Sequence, residues 1–558
     1  MNRHKIKNKL SSLAAIGILG TSILTFSSCQ GIIEEEVISK IGNDYMNTPS
    51  GLNDGVNAAY SSFRSFYGTE RGNNLTIFGT DTYTNGSDGS WKFMNAYTSQ
   101  FDSRNGHVRE LWDDFYEGIN TCNAVIERAP EVTGMDASIK AQRVAEAKFI
   151  RAHHYFLMTQ FFGGVDLQLS ESVVPSKEVS RSSVPEMYAA IIHDLESAIP
   201  DLEPNMQSSD YGRVTRPTAE HLLGLVYLTK ASTEAQETED YTKAEDLFKK
   251  VINDYGFQLL PDFASVYEFG NEINDEIIFS IQYTRDPLNN GGGNNTHLYF
   301  LMEYDVQPGM ERDVANGRPW KRYRPTEYTL NTIFSNRDID SRYNKSFKHV
   351  FKTNKPGTYN TTFDQSKSSV TFAEGDTAIY IPGYEMSEAE RAEKPYQVLS
   401  PSLYTDKLYP TLNKHLDPGR ADKTQEGGGR DYVVFRLADT YLLLAESQLM
   451  QDKTAEATAT INTVRRRAAW PGMEAQMEIT PAEMTFELLS EERARELLGE
   501  QKRWLDLKRW GILVERVKRY NDNGAPNIED FHVLRPIPQN QIDRAAGGND
   551  AFPQNPGY

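Results

Sequence analysis

The chain holds 558 residues, with 59 Lys plus Arg against 78 Asp plus Glu, a formal charge of −19, and only 2 Cys. At 39% hydrophobic and 25% charged residues it reads as an ordinary water-soluble chain, which excludes a polytopic membrane protein and a fully disordered one. Two cysteines exclude a disulfide scaffold and a cysteine-based structural zinc site, and the acidic balance speaks against nucleic acid, whose phosphates need a basic face.

The first segment predicts export. Arg3, Lys5, Lys7 and Lys9 precede a largely apolar run from Leu10 to Phe26, too short and too Ser/Thr-diluted for a membrane span, followed by Ser27, Ser28 and Cys29. The Phe-Ser-Ser-Cys junction resembles the lipobox of bacterial lipoproteins, in which Cys29 would be acylated and become the first mature residue. Cleavage after Ser28 removes four basic and no acidic residues and leaves Cys122 as the only free thiol. Glu34, Glu35 and Glu36 fall in a tether of residues 29–45, and their cluster resembles the surface-export signal of Bacteroidetes lipoproteins.

From Thr48 onward the spacing predicts helices. Leu52, Val56, Ala59, Tyr60, Phe63 and Phe66 recur at three and four, as do Leu111, Trp112, Phe115, Ile119, Cys122, Val125 and Ile126. Further helical stretches are expected near 138–161, 185–202, 217–233 and 240–254, then near 435–450, 453–469 and 482–510. Ala445, Ala457, Ile461 and Val464 fit the tetratricopeptide spacing, and Gly224, Ala244, Phe248 and Val251 fit it with a turn lengthened around Glu234 to Glu239. Small residues there permit close helix approach and large ones supply knobs, although a generic antiparallel bundle would fit the spacing equally well.

Residues 256–434 interrupt the helices. Asn289 to Asn295 holds only Asn and Gly, Gly427 to Gly429 is a second glycine run, and short β-like stretches such as Ile277 to Tyr283 and Thr377 to Ile381 lie among prolines and turns. So long an irregular segment inside a helical chain points to function. The expected organisation is a helical part over 46–255, an irregular ligand-binding insert over 256–434 and a helical part over 435–558, all within one unit. Length alone would give three or four domains at about 150 residues each.

Ordered blocks along the chain carry a family resemblance. They are Leu111-Trp112-Asp113-Asp114-Phe115-Tyr116 with Ile119-Asn120 and Asn123; Ala145 to Ala152; Phe162-Gly163-Gly164-Val165; and Arg436-Leu437-Ala438-Asp439 running into Ala445-Glu446. Then come Ile461 to Arg465, Glu491-Glu492-Arg493, Glu500, Arg503 to Trp510, Pro536-Ile537-Pro538 and Gln554 to Tyr558. The chain resembles the RagB/SusD family of nutrient-uptake outer-membrane lipoproteins over essentially its whole mature length. The resemblance implies a mainly α fold, with four tetratricopeptide-like helix pairs in an α-α superhelix carrying a large irregular insert with short β-hairpins. It implies a surface lipoprotein that sits as a lid on a SusC-like TonB-dependent transporter, binds an oligosaccharide, uses no cofactor and does no chemistry.

The residues themselves speak against catalysis. Glu491, Glu492, Glu496 and Glu500 could be offered as a glycosidase carboxylate pair, but Arg493, Arg495, Lys502 and Arg503 interleave them at helical spacing. An i,i+4 pair of Glu491 with Arg495, worth a few tenths of a kcal/mol if exposed, is the expectation. His153 and His154 are adjacent and so point to different sides of a helix. Neither glycine run has a phosphate-loop context, no Gly-x-Ser-x-Gly occurs, Cys122 lies on an apolar helical face, and Asn271 to Glu276 lacks EF-hand spacing.

Glycan binding asks for flat ring faces on loops, flanked by amide, carboxylate and guanidinium groups. Two stretches qualify: Asp81 to Trp91, continuing to Asn95 and Tyr97, and Asn294 to Tyr304 followed by Trp320, Arg322 and Tyr323. The expected contacts are Asp81, Tyr83, Trp91, Asn95, Tyr97, Tyr299, Trp320 and Arg322. The resemblance carries over to these regions rather than to matched positions, and Gly317 to Trp320 with Pro325-Thr326 resembles a block that looks structural. Trp112, Trp504 and Trp510 are assigned to helix packing. The acidic balance leans against a heavily sulfated glycan, unless a local basic patch around Lys321, Arg322 and Arg324 overrides it. A surface glycoside hydrolase of helical fold and a peptide-binding member of the same family are the alternatives.

Overall fold

In the computed structural model, which describes residues 43–174, 176–205 and 210–558, helices begin where the sequence places their caps. Thr48 accepts from Gly51 N at 3.0 Å with Pro49 in the first turn of α1 (Pro49–Ser61). Asn105 caps α2 (Gly106–Arg128), Asp136 caps α3 (Ala137–Phe162), and Ser183 with Glu186 closes a capping box on α4 (Val184–Ala198). Then follow α5 (Arg216–Lys230), α6 (Asp240–Asp254), α7 (Leu437–Leu449) and α8 (Thr454–Ala468). The signal segment, Cys29 and the Glu34–Glu36 cluster lie outside the described residues.

Four helix pairs result: α1 with α2, α3 with α4, α5 with α6, and α7 with α8. Three of the pairs bury most of the residues picked out in the sequence, whereas α3, paired with α4, is buried on all sides from Phe149 to Phe162. Ala445, Ala457, Ile461 and Val464 are fully buried in one cluster between α7 and α8. Gly224 allows the tightest approach, since a Cβ there would lie 2.7 Å from the ring of buried Phe248. Gly224→Ala is therefore expected to destabilise the protein by about 1–2 kcal/mol, overpacking outweighing the gain in helix propensity. Phe248→Leu in the same chain should restore part of that loss in urea denaturation.

The stretch expected as one helix over 482–510 is two, α9 (Phe486–Glu496) and α10 (Arg503–Arg509). The chain turns between them through left-handed Gly499 (φ +78°) and Gln501 (φ +59°), whose side chain donates to Asn73 Oδ1 at 3.1 Å. A further helix, α11 (Leu513–Tyr520), follows. Among the described residues no helix is long and apolar enough to cross a membrane.

Two antiparallel ribbons tie the irregular segment to the helices. β1 (Tyr83–Asn85) comes from the loop after α1; β2 (Ile277–Ile281), β3 (Tyr323–Pro325) and β4 (Tyr432–Arg436) come later. β2 pairs with β4, Tyr432 opposite Ile281 and Arg436 opposite Ile277, so the segment leaves and re-enters the helical body at one place. Between them it builds a second core of Met302, Tyr304, Phe351, Ile379, Ile381 and Leu399 under short hairpins. Residues Met46–Tyr558 form one compact unit.

The β2–β4 junction also collects charge. Buried Arg436 reaches Glu276 at 3.0 Å, Glu496 at 2.7 Å and Glu500 at 2.9 Å. Buried Arg342 reaches Glu492 at 2.7 Å and Glu496 at 2.9 Å, and Arg467 and Lys414 complete the network. The expected Glu491–Arg495 pair does not form. Arg495 turns to Glu492 at 2.6 Å, because Glu492 and Glu496 face the core and draw the cations inward, leaving Glu491 beside Tyr328.

Candidate functional site

The β1–β3 ribbon sets the site. Tyr83 opposes Pro325, Thr84 opposes Arg324 and Asn85 opposes Tyr323; beyond Asn85 the pairing continues, with Gly86 N donating to Arg322 O at 2.8 Å and Asp88 N to Lys321 O at 3.1 Å. Gly86 is required here, since a Cβ would stand 2.2 Å from Lys321 O. The loop carrying Trp91 is thereby fastened to the segment carrying Trp320 and Arg322.

Trp91 takes a left-handed backbone (φ +61°) at the start of a short helix, Lys92–Ala96. Its half-buried indole stacks on His107, with ring centroids 3.6 Å apart at 23°. One face of the tryptophan is thus occupied and only the other can meet a ligand. His107, in the first turn of α2, pairs through Nε2 with the Asn74 side-chain amide at 3.0 Å. Burial, then the charges of Arg71 and Arg322, pull its pKa down to about 3, so it stays a neutral ring.

Arg322 is the hub. It is 2% exposed and holds Asp88 through Nε at 2.9 Å and Nη2 at 2.8 Å, while Nη1 engages Glu70. Its guanidinium lies 5.0 Å from the Tyr299 ring centroid and 5.4 Å from that of half-buried Trp320. Arg71 beside it donates to Glu110 at 3.0 Å and also pairs with Asp114. The partly exposed carboxylates Glu70, Asp88, Glu110 and Asp114 are thus aligned by two guanidinium groups, Arg322 and Arg71, and Asp88 and Arg322 lie on the segments that carry half-buried Trp91 and Trp320. Such a surface offers an apolar ring face and acceptors for hydroxyl protons.

Several expected contacts lie inside the protein instead. Asp81 is fully buried and takes Arg503 at 2.6 Å and Arg516 at 3.0 Å, which hold its carboxyl below the usual range against the opposing effect of burial. Tyr83 packs edge-on against Phe300. Asn95 is enclosed, accepting from Gly79 N at 2.9 Å and from Asn521 at 2.9 Å. Tyr97 donates to Gly79 O at 2.7 Å, and Tyr299 is fully buried between Trp320 and Tyr323. These rings and amides anchor the two loops, which leaves Trp91 and Trp320 half-buried and Arg322 only 2% exposed among the expected contacts. His107, Glu70 and Arg71 escaped the sequence reading. His107 belongs to the helical part, sixteen residues beyond Trp91, and Glu70 and Arg71 open a short helix, Glu70–Thr76, that has too few turns to show a period.

Helix pairs bearing an irregular insert, fastened to it by two β-ribbons, define a mainly helical, tetratricopeptide-like fold. Its C-terminal part, residues 274–558, matches the model of the SusD family, and residues 35–228 match that described as starch-binding associating with outer membrane. The chain belongs to the SusD family. It is similar to SusD-like protein P25 of Formosa agariphila, 24% identical over 93% of this chain and 94% of that one. It is also similar to the starch-binding protein SusD of Bacteroides thetaiotaomicron, 25% identical over 76% and 74%. Among solved structures, a laminarin binding SusD-like protein shares the fold with a TM-score of 0.69 at 22% identity, covering 92% of this chain and all of that one. Surface glycan-binding protein A from Bacteroides thetaiotaomicron in complex with laminarihexaose does so with a TM-score of 0.66 at 21% identity, covering 91% and 99%.

Proposed function

We propose that this protein is a cell-surface glycan-binding lipoprotein, anchored through Cys29, that captures an oligosaccharide and delivers it to a SusC-like TonB-dependent transporter in the outer membrane. The observation that carries this reading is the β1–β3 pairing that fastens the loop of half-buried Trp91 to the segment of half-buried Trp320, where Arg322 holds Asp88 and Glu70. Relatives named for starch and laminarin binding support the ligand class.

Three of the four carboxylates weighed for hydrolysis, all but Glu491, are already engaged in ion pairs. Glu492 meets Arg342, Arg465 and Arg495; Glu496 meets Arg342, Arg436 and Arg467; Glu500 meets Arg436 and Lys414. A buried carboxylate saturated by guanidinium groups neither gives nor takes a proton near neutral pH, so these residues support binding over glycoside hydrolysis.

Trp91→Ala and Trp320→Ala should each weaken binding of the recognised oligosaccharide by about 2 kcal/mol, roughly thirtyfold, read by titration calorimetry. Unchanged affinity in both variants would move the site elsewhere, and binding of a peptide with Trp91 dispensable would favour the peptide-binding reading.

A further inference from the structure

Beside the β1–β3 ribbon opens a groove of about 480 Å³, lined among others by Thr84, Arg324, Tyr328, Tyr404, Tyr409 and Tyr520. None of the tryptophans of the surface described above lines it. One wall is a stacked pair, Tyr328 and Tyr520, with centroids 3.9 Å apart at 24°. The Arg516 guanidinium sits 4.7 Å from both rings, held in turn by Asp81 and Glu487. Tyr328 leads into a π-helical turn, Thr329–Ile333, a rare backbone geometry that recurs at functional sites.

The groove contains a cation without a counter-charge. Of the basic run on this segment, Lys321 is spent on Glu303 at 3.0 Å and Arg322 on Asp88 and Glu70. Arg324 takes part in no ion pair among the described residues, and its enclosed Nε has no acceptor. Arg342, Arg436 and Arg516, by contrast, meet carboxylates. Glu327 and Asp522 also line the groove, but both are exposed and form no ion pair among the described residues, so water screens them. Exposed Arg519, lying over Tyr520 at 5.0 Å, also forms no ion pair among the described residues, and water screens it as it does the two acids.

We propose that this groove is an anion subsite for a carboxylate- or sulfate-bearing sugar unit, with Arg324 receiving the anion and Tyr520 offering a ring to the sugar. It rests on the glycan-binding reading and narrows the ligand to an acidic oligosaccharide. A guanidinium presents parallel N–H donors that match a carboxylate or sulfate edge. The groove lies along the same ribbon that fastens the Trp91 loop, Thr84 opposing Arg324 and Gly86 N donating to Arg322 O two residues away. One extended chain can therefore contact both.

The test is a titration of the protein with oligogalacturonate, sulfated carrageenan oligomers, and neutral laminarin and starch oligomers. The first two arms distinguish carboxylate from sulfate. An acidic oligomer should bind, Arg324→Gln should weaken it by at least about tenfold, and Arg324→Lys should restore it only in part. Arg519→Ala, at an exposed position that leaves folding untouched, should weaken it about threefold, and raised salt should weaken acidic but not neutral binding. Binding of neutral oligomers only, or of acidic oligomers with affinity unaltered in Arg324→Gln and Arg519→Ala, overturns the subsite and leaves the glycan reading standing. Binding of no oligosaccharide overturns the glycan reading and the subsite with it.

Discussion

Arg436→Met is expected to cost the protein about 3–5 kcal/mol of stability, because it strands three carboxylates that share one buried cation. Glu276 and Glu496 are fully buried and Glu500 is 4% exposed, so water cannot replace the guanidinium. The remaining cations compensate only in part: Arg467 still reaches Glu276 and Glu496, Arg342 still reaches Glu496, and Lys414 still reaches Glu500 at 2.7 Å. The location magnifies the effect, since Arg436 closes the β2–β4 ribbon where the irregular segment rejoins the helices. A matched control is Arg466→Ala, whose pair with Glu478 is more than 40% exposed on both sides and should matter by less than about 1 kcal/mol. Urea denaturation of both variants measures the contrast, and equal small losses would mean that the network is not structural.

Acid should destabilise the fold in two stages. Burial draws His154 and His221 down to a pKa of about 3 and His415 to about 4, so each is neutral in the folded protein at pH 5. In the unfolded chain each protonates near 6.5. The unfolded state therefore binds more protons, and stability falls as pH drops from about 6.5 toward 4, by up to about 1.4 kcal/mol per pH unit for each histidine. Asp431 opposes this over a narrower range, since burial raises its pKa to about 6 and the folded state there takes up the proton first. The second stage belongs to the network: arginine neighbours overcome the burial penalty and hold Glu492 and Glu500 near 2, with Glu496 also well below its usual value. Their stabilisation is present above about pH 4.5 and is lost as pH falls toward 2. Denaturation midpoints at pH 7.0, 5.5 and 4.5 should decline steadily, whereas a flat profile over that range would contradict neutral buried histidines.

The helical frame was legible because burial on one face imposes a period of 3.6 that survives in the sequence, as at Leu111 to Ile126 and Ala445 to Val464. The break in the last long helix was not, since Gly499 and Gln501 turn the chain inside a run that keeps its helical composition. Ion pairing was legible as a type and wrong in geometry. Local spacing pointed to Glu491 with Arg495, while the partners that bury Glu492 and Glu496 arrive from Arg342, Arg436 and Arg467, far off in the chain.

The ring-bearing loops were legible as irregular segments, but the burial of their individual residues was not. A tyrosine in a loop serves equally as ligand platform or as buried anchor; Tyr299 is an anchor because it belongs to a buried apolar run with Leu298, Phe300, Leu301 and Met302, and Tyr97 because its hydroxyl reaches inward to Gly79 O. Trp91 differs only because His107 supports it from beneath, a partner that composition could not reveal.

The central claim is that this surface captures a glycan without cutting it. Its most direct test is a calorimetric screen of the purified protein against neutral and acidic oligosaccharides, with the recovered ligand then sized by chromatography. Saturable binding of at least one oligosaccharide, recovered at its original length and bound more weakly by Trp91→Ala, is the predicted result. Release of shorter products, or no binding across the panel, would contradict it.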